Sequence, residues 1–174
     1  MTRREVLLTT ALGFVLVAIE GSIVGYRPAF AIGPDQQQAE LANALSDAKV
    51  SLQQGLAASE PEGQPISGKF EVEDGKLQLS VYTAKEGKFY EVIVDHMTGK
   101  IAKVEPINEG EDLSNAKSQK AAMDRAKVRL ADAAVKSMGQ AKGPVGDVRV
   151  VSVVPELKDD HPRAEIVLLA GKQF

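Results

Sequence analysis

Two stretches of the chain place apolar residues at intervals of three and four, which is the spacing of an amphipathic helix. The first predicts a helix over residues 36–58, and its apolar stripe consists of Leu41, Leu45, Ala48, Leu52 and Leu56. The second predicts a helix over residues 115–138, with Ser114 as its N-cap and Gly139 at its end. Because the remaining positions are mostly polar, we expect each helix to pack one side against another layer.

After the first helix, apolar and polar residues alternate with the period of two that predicts half-buried strands. The alternating runs cover residues 70–73, 77–82, 89–95 and 101–105. Turns are predicted between these runs at Asp74-Gly75, Glu86-Gly87 and Thr98-Gly99. The pattern is typical of an antiparallel meander with one buried face. After the second helix, two further strands are predicted over residues 148–154 and 164–169, with a turn over 155–162.

The order of these elements predicts an α+β fold of two tandem units, each a helix followed by an antiparallel sheet. The first unit covers residues 32–106 and the second, divergent unit covers residues 107–174, with an acidic linker at residues 106–112. No strand is predicted after residues 164–169. The second sheet is therefore expected to end in an open edge that pairs within the chain or with a second copy, as in a homodimer.

The N-terminal segment has the three-part layout of a secretory signal peptide. Thr2-Arg3-Arg4 precedes a mostly apolar stretch over residues 6–26, and Ala29-Phe30-Ala31 is a small-x-small cleavage site. We predict cleavage after Ala31 and a periplasmic location, by the general secretory (Sec) route or, given the paired arginines, by twin-arginine export. The alternative is an N-terminal membrane anchor, against which Glu20 argues, so no stable membrane span is expected after cleavage.

Composition excludes several classes of function. The 174 residues carry a net charge of −3, which is too weakly acidic for the field of a general nucleic-acid binder. Without cysteine there is no disulfide, thiolate zinc site or cysteine nucleophile. The sequence has no Gly-x-Ser-x-Gly elbow and no phosphate-binding glycine loop. A non-enzymatic protein is therefore predicted, and a hydrolase using a carboxylate pair such as Glu71 and Glu73 is a minor alternative.

Three acidic clusters are candidate metal sites. Asp95-His96 and Asp159-Asp160-His161 place imidazoles beside carboxylates in predicted turns, which suits a divalent cation such as Zn²⁺. Glu109, Glu111 and Asp112 suit Ca²⁺ or a trivalent lanthanide, because these hard cations prefer several oxygen ligands on a flexible loop. The alternative at each place is a solvated polar segment. Asp112 also suits the start of the second helix, where negative charge is favoured.

The segment Lys88-Phe89-Tyr90-Glu91-Val92-Ile93-Val94-Asp95-His96-Met97-Thr98-Gly99-Lys100-Ile101 is similar to the signature hairpin of the PepSY domain family. Residues 68–77 also resemble that family's paired strands, and residues 164–172 echo the hairpin without its Asp. The resemblance covers residues 36–106 and extends more weakly to 115–174. It implies exported α+β domains that bind or inhibit envelope proteins, including peptidases, and that have no established catalytic residues.

The leading prediction is therefore a non-enzymatic periplasmic PepSY-type binding module with an envelope protein as its partner. The alternative is a periplasmic metal-binding or metal-delivery protein that uses the acidic turns.

Overall fold

The computed structural model describes residues 12–18, 23–28, 36–140 and 148–170 of the chain. The fold is α+β, as predicted. Its strands are β1 Leu12–Ala18, β2 Ile23–Pro28, β3 Gln64–Glu73, β4 Lys76–Lys85, β5 Lys88–Val94, β6 Ile101–Ile107, β7 Val148–Lys158 and β8 His161–Ala170. Its helices are α1 Gln36–Leu45, α2 Leu52–Ser59, α3 Gly110–Arg125 and α4 Leu130–Met138, and a short 3₁₀ turn covers Glu60–Glu62.

All eight strands form one antiparallel sheet in the order β2-β1-β8-β7-β3-β4-β5-β6. The predicted meander is confirmed as β3 to β6. Its turns contain Gly75, Gly87 and Gly99, which have φ values of 71°, 77° and 75°. Glycine adopts this left-handed conformation without the steric cost of a Cβ atom, which is why these pairs stop the strands.

The first predicted helix is wrong as a single element, because it is broken between Leu45 and Leu52. Ser51 ends the break with a capping box: its hydroxyl accepts from the amide of Gln54, and the side chain of Gln54 accepts from the amide of Ser51. Lys49 and Val50 cannot continue the α1 hydrogen bonds because both amides donate to the carbonyl of His96. The break therefore attaches this loop to the β5–β6 turn.

The second predicted helix is also two helices, and it starts earlier than predicted. Glu109 is the N-cap of α3, whereas Ser114 lies inside the helix and donates to the carbonyl of Gly110. The acidic linker is correspondingly short, since β6 ends at Ile107 and α3 begins at Gly110. Extended backbone at Ala126 ends α3 and separates it from α4.

The predicted turn at residues 155–162 is wrong in length. Strands β7 and β8 continue through this region and are joined by Asp159-Asp160 alone, with φ values of 50° and 67°. Two consecutive left-handed residues form the tight turn that matches the twist of paired strands. Pro155 and Pro162 lie inside the strands, although proline usually disfavours central strands.

The core lies between one face of the sheet and helices α2 and α4, which contact each other, β3 and β7. Two glycines allow α2 to approach closely. A Cβ atom at Gly55 would lie 2.5 Å from Cδ2 of Leu79, and one at Gly68 would lie 3.1 Å from Cδ2 of Leu56. Helix α3 contacts the opposite face. Ser67 donates to Gln119 of α3, whereas the next residue, Gly68, faces Leu56 of α2, and successive residues of a strand face opposite sides of the sheet.

The predicted signal peptide overlaps strands β1 and β2. Strand β1 pairs with β8 over seven residues, from Leu12 opposite Leu169 to Ala18 opposite Arg163. Ala29 and Ala31 lie outside the described residues, so cleavage after Ala31 stays a prediction. No helix among the described residues is long and apolar enough to span a membrane.

Candidate functional site

The first predicted metal pair, Asp95-His96, lies in the β5–β6 turn. One carboxylate oxygen of Asp95 accepts from the amides of Met97 and Thr98, at 2.8 and 3.0 Å. These backbone hydrogen bonds stabilise the charged form and hold the pKa of Asp95 below its usual value. The same carboxylate therefore shapes the turn, as aspartate side chains commonly do.

His96 is the more unusual member of this pair. Its backbone carbonyl accepts from Lys49 and Val50, both at 3.0 Å. Within the described residues, its Nδ1 is a buried side-chain nitrogen without a hydrogen-bond partner. A cleft of about 340 Å³ lies beside it, lined in part by Glu73, Asp74 and Asp95.

The second predicted group, Glu109, Glu111 and Asp112, forms the start of α3. Glu109 is the N-cap residue but makes no side-chain capping bond, and the other two residues lie in the first turn. Negative charge is favourable there because the first amides of a helix have no partner within it. The side chain of Asp112 also accepts from the hydroxyl of Tyr82 at 2.8 Å.

The third predicted group, Asp159, Asp160 and His161, lies at the β7–β8 turn. Asp160 forms an ion pair with Arg125, and its carbonyl also accepts from the Arg125 guanidinium at 3.2 Å. His161 is the first residue of β8, opposite Lys158. This turn is therefore attached to the end of α3.

The structure does not bring these three groups together. In the part of the chain that the structure describes, no three His, Asp or Glu side chains are grouped closely enough to hold a metal ion. The metal sites stay predictions. Each candidate carboxylate with a described contact already stabilises a turn, lies at a helix terminus or forms an ion pair.

A different surface is more regular: the face of β3 to β6 that points away from α2. Residues directly opposite each other in antiparallel strands point to the same side. One row across this face is Ser67, Tyr82, Glu91 and Glu105, and the next is Lys69, Ser80, Ile93 and Lys103. Glu71 lies opposite Gln78 in a third row.

Hydrogen bonds and ion pairs hold most of these polar side chains in place. Ser80 donates to Glu91, and Ser67 donates to Gln119 of α3 at 2.8 Å. Lys69 lies 2.6 Å from Glu71, and Lys103 lies 2.8 Å from Glu105. The pKa of Lys103 is raised first by its bond to Glu105 and then by the charges of Glu105, Glu73 and Glu91.

Tyr82 links this face to α3 through its bond to Asp112. Its pKa is raised well above 10.0, first by burial, then by the bond to Asp112, and then by the charges of Glu91, Asp112 and Glu71. The phenol therefore stays protonated and keeps donating to Asp112 at neutral pH.

We name this surface the acidic face and define it by its charged members, Lys69, Glu71, Glu91, Lys103, Glu105 and Asp112. Four carboxylates outnumber two ammonium groups there. The face stays accessible to solvent, with 48% of the Glu105 side chain and 44% of the Lys69 side chain exposed. Such an arrangement can bind a basic, flat surface.

The alternation along the strands predicted that these residues share a polar face, but not that α3 lies on it. Tyr82 and Asp112 are separated by the whole of β5 and β6, and no local pattern relates them. The local signal for this contact is the large aromatic side chain of Tyr82 at a polar position of β4, between Ser80 and Ala84.

No family model, curated protein or solved structure matches this chain.

Proposed function

We propose that this chain is an exported, non-enzymatic binding module of the PepSY type, built from two α+β units, that binds a protein partner in the periplasm. The observation that carries the proposal is the acidic face, where partly exposed carboxylates are held by hydrogen bonds and ion pairs on one side of the sheet. A partner that fits this face presents lysine or arginine side chains, because these neutralise the excess negative charge.

The helices support the two-unit architecture. Leu52, Gly55, Leu56 and Ser59 of α2 have the same spacing as Leu130, Ala133, Ala134 and Ser137 of α4. All eight residues are buried. Ser59 and Ser137 even make the same bond, since each donates to the carbonyl three residues earlier, at 2.8 and 2.7 Å.

The centre of the sheet supports it as well. Strands β3 and β7 meet through Gly68 opposite Val153. Gly68 lies six residues before Asp74, which begins the β3–β4 turn, and Val153 lies six residues before Asp159, which begins the β7–β8 turn. Corresponding positions of two hairpins therefore face each other, as they do beside a two-fold axis.

The location rests on the sequence. The arginine pair, the apolar stretch and the small-x-small site before residue 32 are the signal for export. The resemblance of residues 88–101 to the PepSY hairpin supports an envelope protein, including a peptidase, as the class of partner.

The test is mild crosslinking in the periplasm followed by purification of the tagged chain. We expect wild type to recover an envelope protein, and the double variant Glu71→Lys with Glu105→Lys to recover at least tenfold less. The matched control is Glu40→Lys with Glu86→Lys, which makes the same charge change at exposed positions outside the acidic face.

Recovery of no envelope protein by wild type would contradict a binding module. Equal losses in both double variants would place the binding elsewhere than on the acidic face. Circular dichroism spectra of all three proteins would identify any loss that results from unfolding.

A second candidate function is periplasmic metal binding or delivery, favoured by the unpartnered Nδ1 of His96 beside Asp95 and the cleft with Glu73 and Asp74. Native mass spectrometry with Ca²⁺, Zn²⁺ and a lanthanide tests it. A stoichiometric ion that is lost in His96→Gln would support this candidate. If the chain binds none of these ions, metal binding or delivery is excluded for Ca²⁺, Zn²⁺ and the lanthanide tested.

A further inference from the structure

The six strands β3 to β8 have two outer strands, β6 and β8, which differ in how they resist pairing with a strand of another molecule. Strand β6 forms one edge and contains Pro106 and the ion pair of Lys103 with Glu105. Proline and charged side chains are the usual protection of an exposed edge. Strand β8 is the outer strand at the other end of the six strands β3 to β8. Strand β1 of the same chain pairs with it.

In the first unit, β4 corresponds to β8, so the strand beside β4 predicts which kind of strand pairs with β8. Leu79 lies four residues after Gly75, the last residue of the β3–β4 turn, and Ala164 lies four residues after Asp160. Both side chains are fully buried. Leu79 pairs with Val94 of β5, and Ala164 pairs with Val17 of β1. Strand β1 therefore occupies the place beside β8 that β5 occupies beside β4.

The next strand continues the correspondence. The β5–β6 pairing shifts register immediately before Val94, which lies opposite Ile101. The β1–β2 pairing shifts register immediately before Val17, which lies opposite Ile23. The full sheet order is thus symmetric about the β3–β7 pair, with β1 and β2 in the places of β5 and β6.

We infer that the edge of β8 is a strand-acceptor site, and that its ligand is the N-terminal β1–β2 hairpin of the same chain. The inference rests on the two-unit architecture proposed above. The ligand class is an extended apolar strand, because β1 reads Leu-Gly-Phe-Val-Leu-Val-Ala and contains no charged residue. Cleavage after Ala31 would remove the hairpin and open the site.

The first experiment tests the pairing in the uncleaved chain. Substitutions Ala29→Leu and Ala31→Leu block processing by removing the small residues that signal peptidase needs. The natural sequence has no cysteine, so introduced pairs react cleanly. We expect Leu16→Cys with Glu165→Cys, which are register partners, to form an intramolecular disulfide. The control, Leu16→Cys with Glu156→Cys on β7, should stay reduced.

The second experiment opens the site. The probe is a labelled synthetic peptide of residues 12–28, added to processed protein purified from the periplasm. We expect saturable binding at one peptide per chain, with at least tenfold weaker binding to the uncleaved variant, whose site is filled. A peptide with Val15→Pro should bind at least tenfold more weakly than the parent peptide, because proline removes an amide from the strand.

Several results would overturn the inference. They are a disulfide in the control pair alone, a disulfide that links two chains, and equal peptide binding by processed and uncleaved protein. A processed chain that pairs with a second copy through β8 would replace the N-terminal hairpin as the ligand. The peptide experiment probes β8, whereas the co-purification experiment probes the acidic face. A failure of peptide binding therefore does not affect the test of the proposed function.

Discussion

Gly63 connects the 3₁₀ turn Glu60–Glu62 to β3 and has a backbone conformation that only glycine adopts readily. Its φ and ψ are 143° and 179°. A Cβ atom there would lie 2.8 Å from the carbonyl oxygen of Ala84, which is backbone and cannot rotate away. The first strand of the meander therefore depends on a residue without a side chain.

Replacing Gly63 by alanine should lower the free energy of unfolding by about 3 kcal/mol, from conformational strain and the contact with Ala84. The matched control is Gly139→Ala, since Gly139 has a φ of −68° and its added Cβ would lie 3.7 Å from the nearest atom. The control should lose nothing and gain up to about 1 kcal/mol. Urea denaturation of both variants measures this, and equal effects would contradict the role of Gly63.

Tyr82 should make the fold sensitive to alkaline pH. Its pKa in the folded protein lies above the value of 10.0 expected when unfolded, so the unfolded chain loses this proton first. Stability from this group is therefore complete below pH 10 and falls as the pH rises further.

Thermal unfolding between pH 8 and pH 11 tests this sign. Tyr82→Phe should lose less stability than wild type above pH 10, whereas Tyr90→Phe should keep the wild-type loss because Tyr82 is unchanged. A Tyr82→Phe variant with the full alkaline loss would show that another group causes it.

At the scale of single elements, the capping box of Ser51 and Gln54 determines where α2 begins. The apolar stripe runs through the break without interruption, and Leu45 and Leu52 are both buried on either side of it. The side chain of Ser51 provides a partner for one amide that the first turn of α2 would otherwise leave unpaired.

Substitution Ser51→Ala should lower the free energy of unfolding by about 1 kcal/mol, the usual cost of losing an N-cap. Ser114→Ala is the control, because Ser114 lies inside α3 and is not a cap. Its effect should stay within about 0.5 kcal/mol. If chemical denaturation gave the larger loss for Ser114→Ala, the assignment of the N-caps would be wrong.

At the scale of the whole molecule, Arg149 attaches the start of β7 to the end of α1. Its guanidinium donates to the carbonyls of Leu45 and Ala48, at 2.7 and 3.0 Å. Carbonyls at a helix C-terminus have no partner within the helix, so a cation there is favourable. This contact joins residues about a hundred positions apart.

Arg149→Ala should therefore lower the free energy of unfolding by about 2 kcal/mol, since hydrogen bonds from a charged donor are among the stronger ones. Arg149→Lys should retain part of the stability, and Lys158→Ala, an exposed lysine at the other end of β7, should change it by less than about 0.5 kcal/mol. A wild-type midpoint for Arg149→Ala in urea denaturation would show that the contact contributes nothing.

The α+β class, the meander and its glycine turns follow from the sequence by itself. Alternation places Leu79, Val81 and Val92 on one face, and each is fully buried. These features depend on neighbours within a few residues, and local periodicity reports them directly. The capping box was also present in the sequence, as Ser51-x-x-Gln54, but the continuous stripe concealed the helix break.

Only the tertiary structure decided how the elements combine. The break at residues 46–51 allows two backbone amides to donate to the carbonyl of His96. The hydrogen bond of Tyr82 to Asp112 requires α3 to lie on the acidic face. Strand β1 lies beside β8 although most of the chain separates them. Each is a contact between residues distant in sequence. Periodicity records which side of an element is buried, whereas partner, register and sheet order depend on packing among all elements at once.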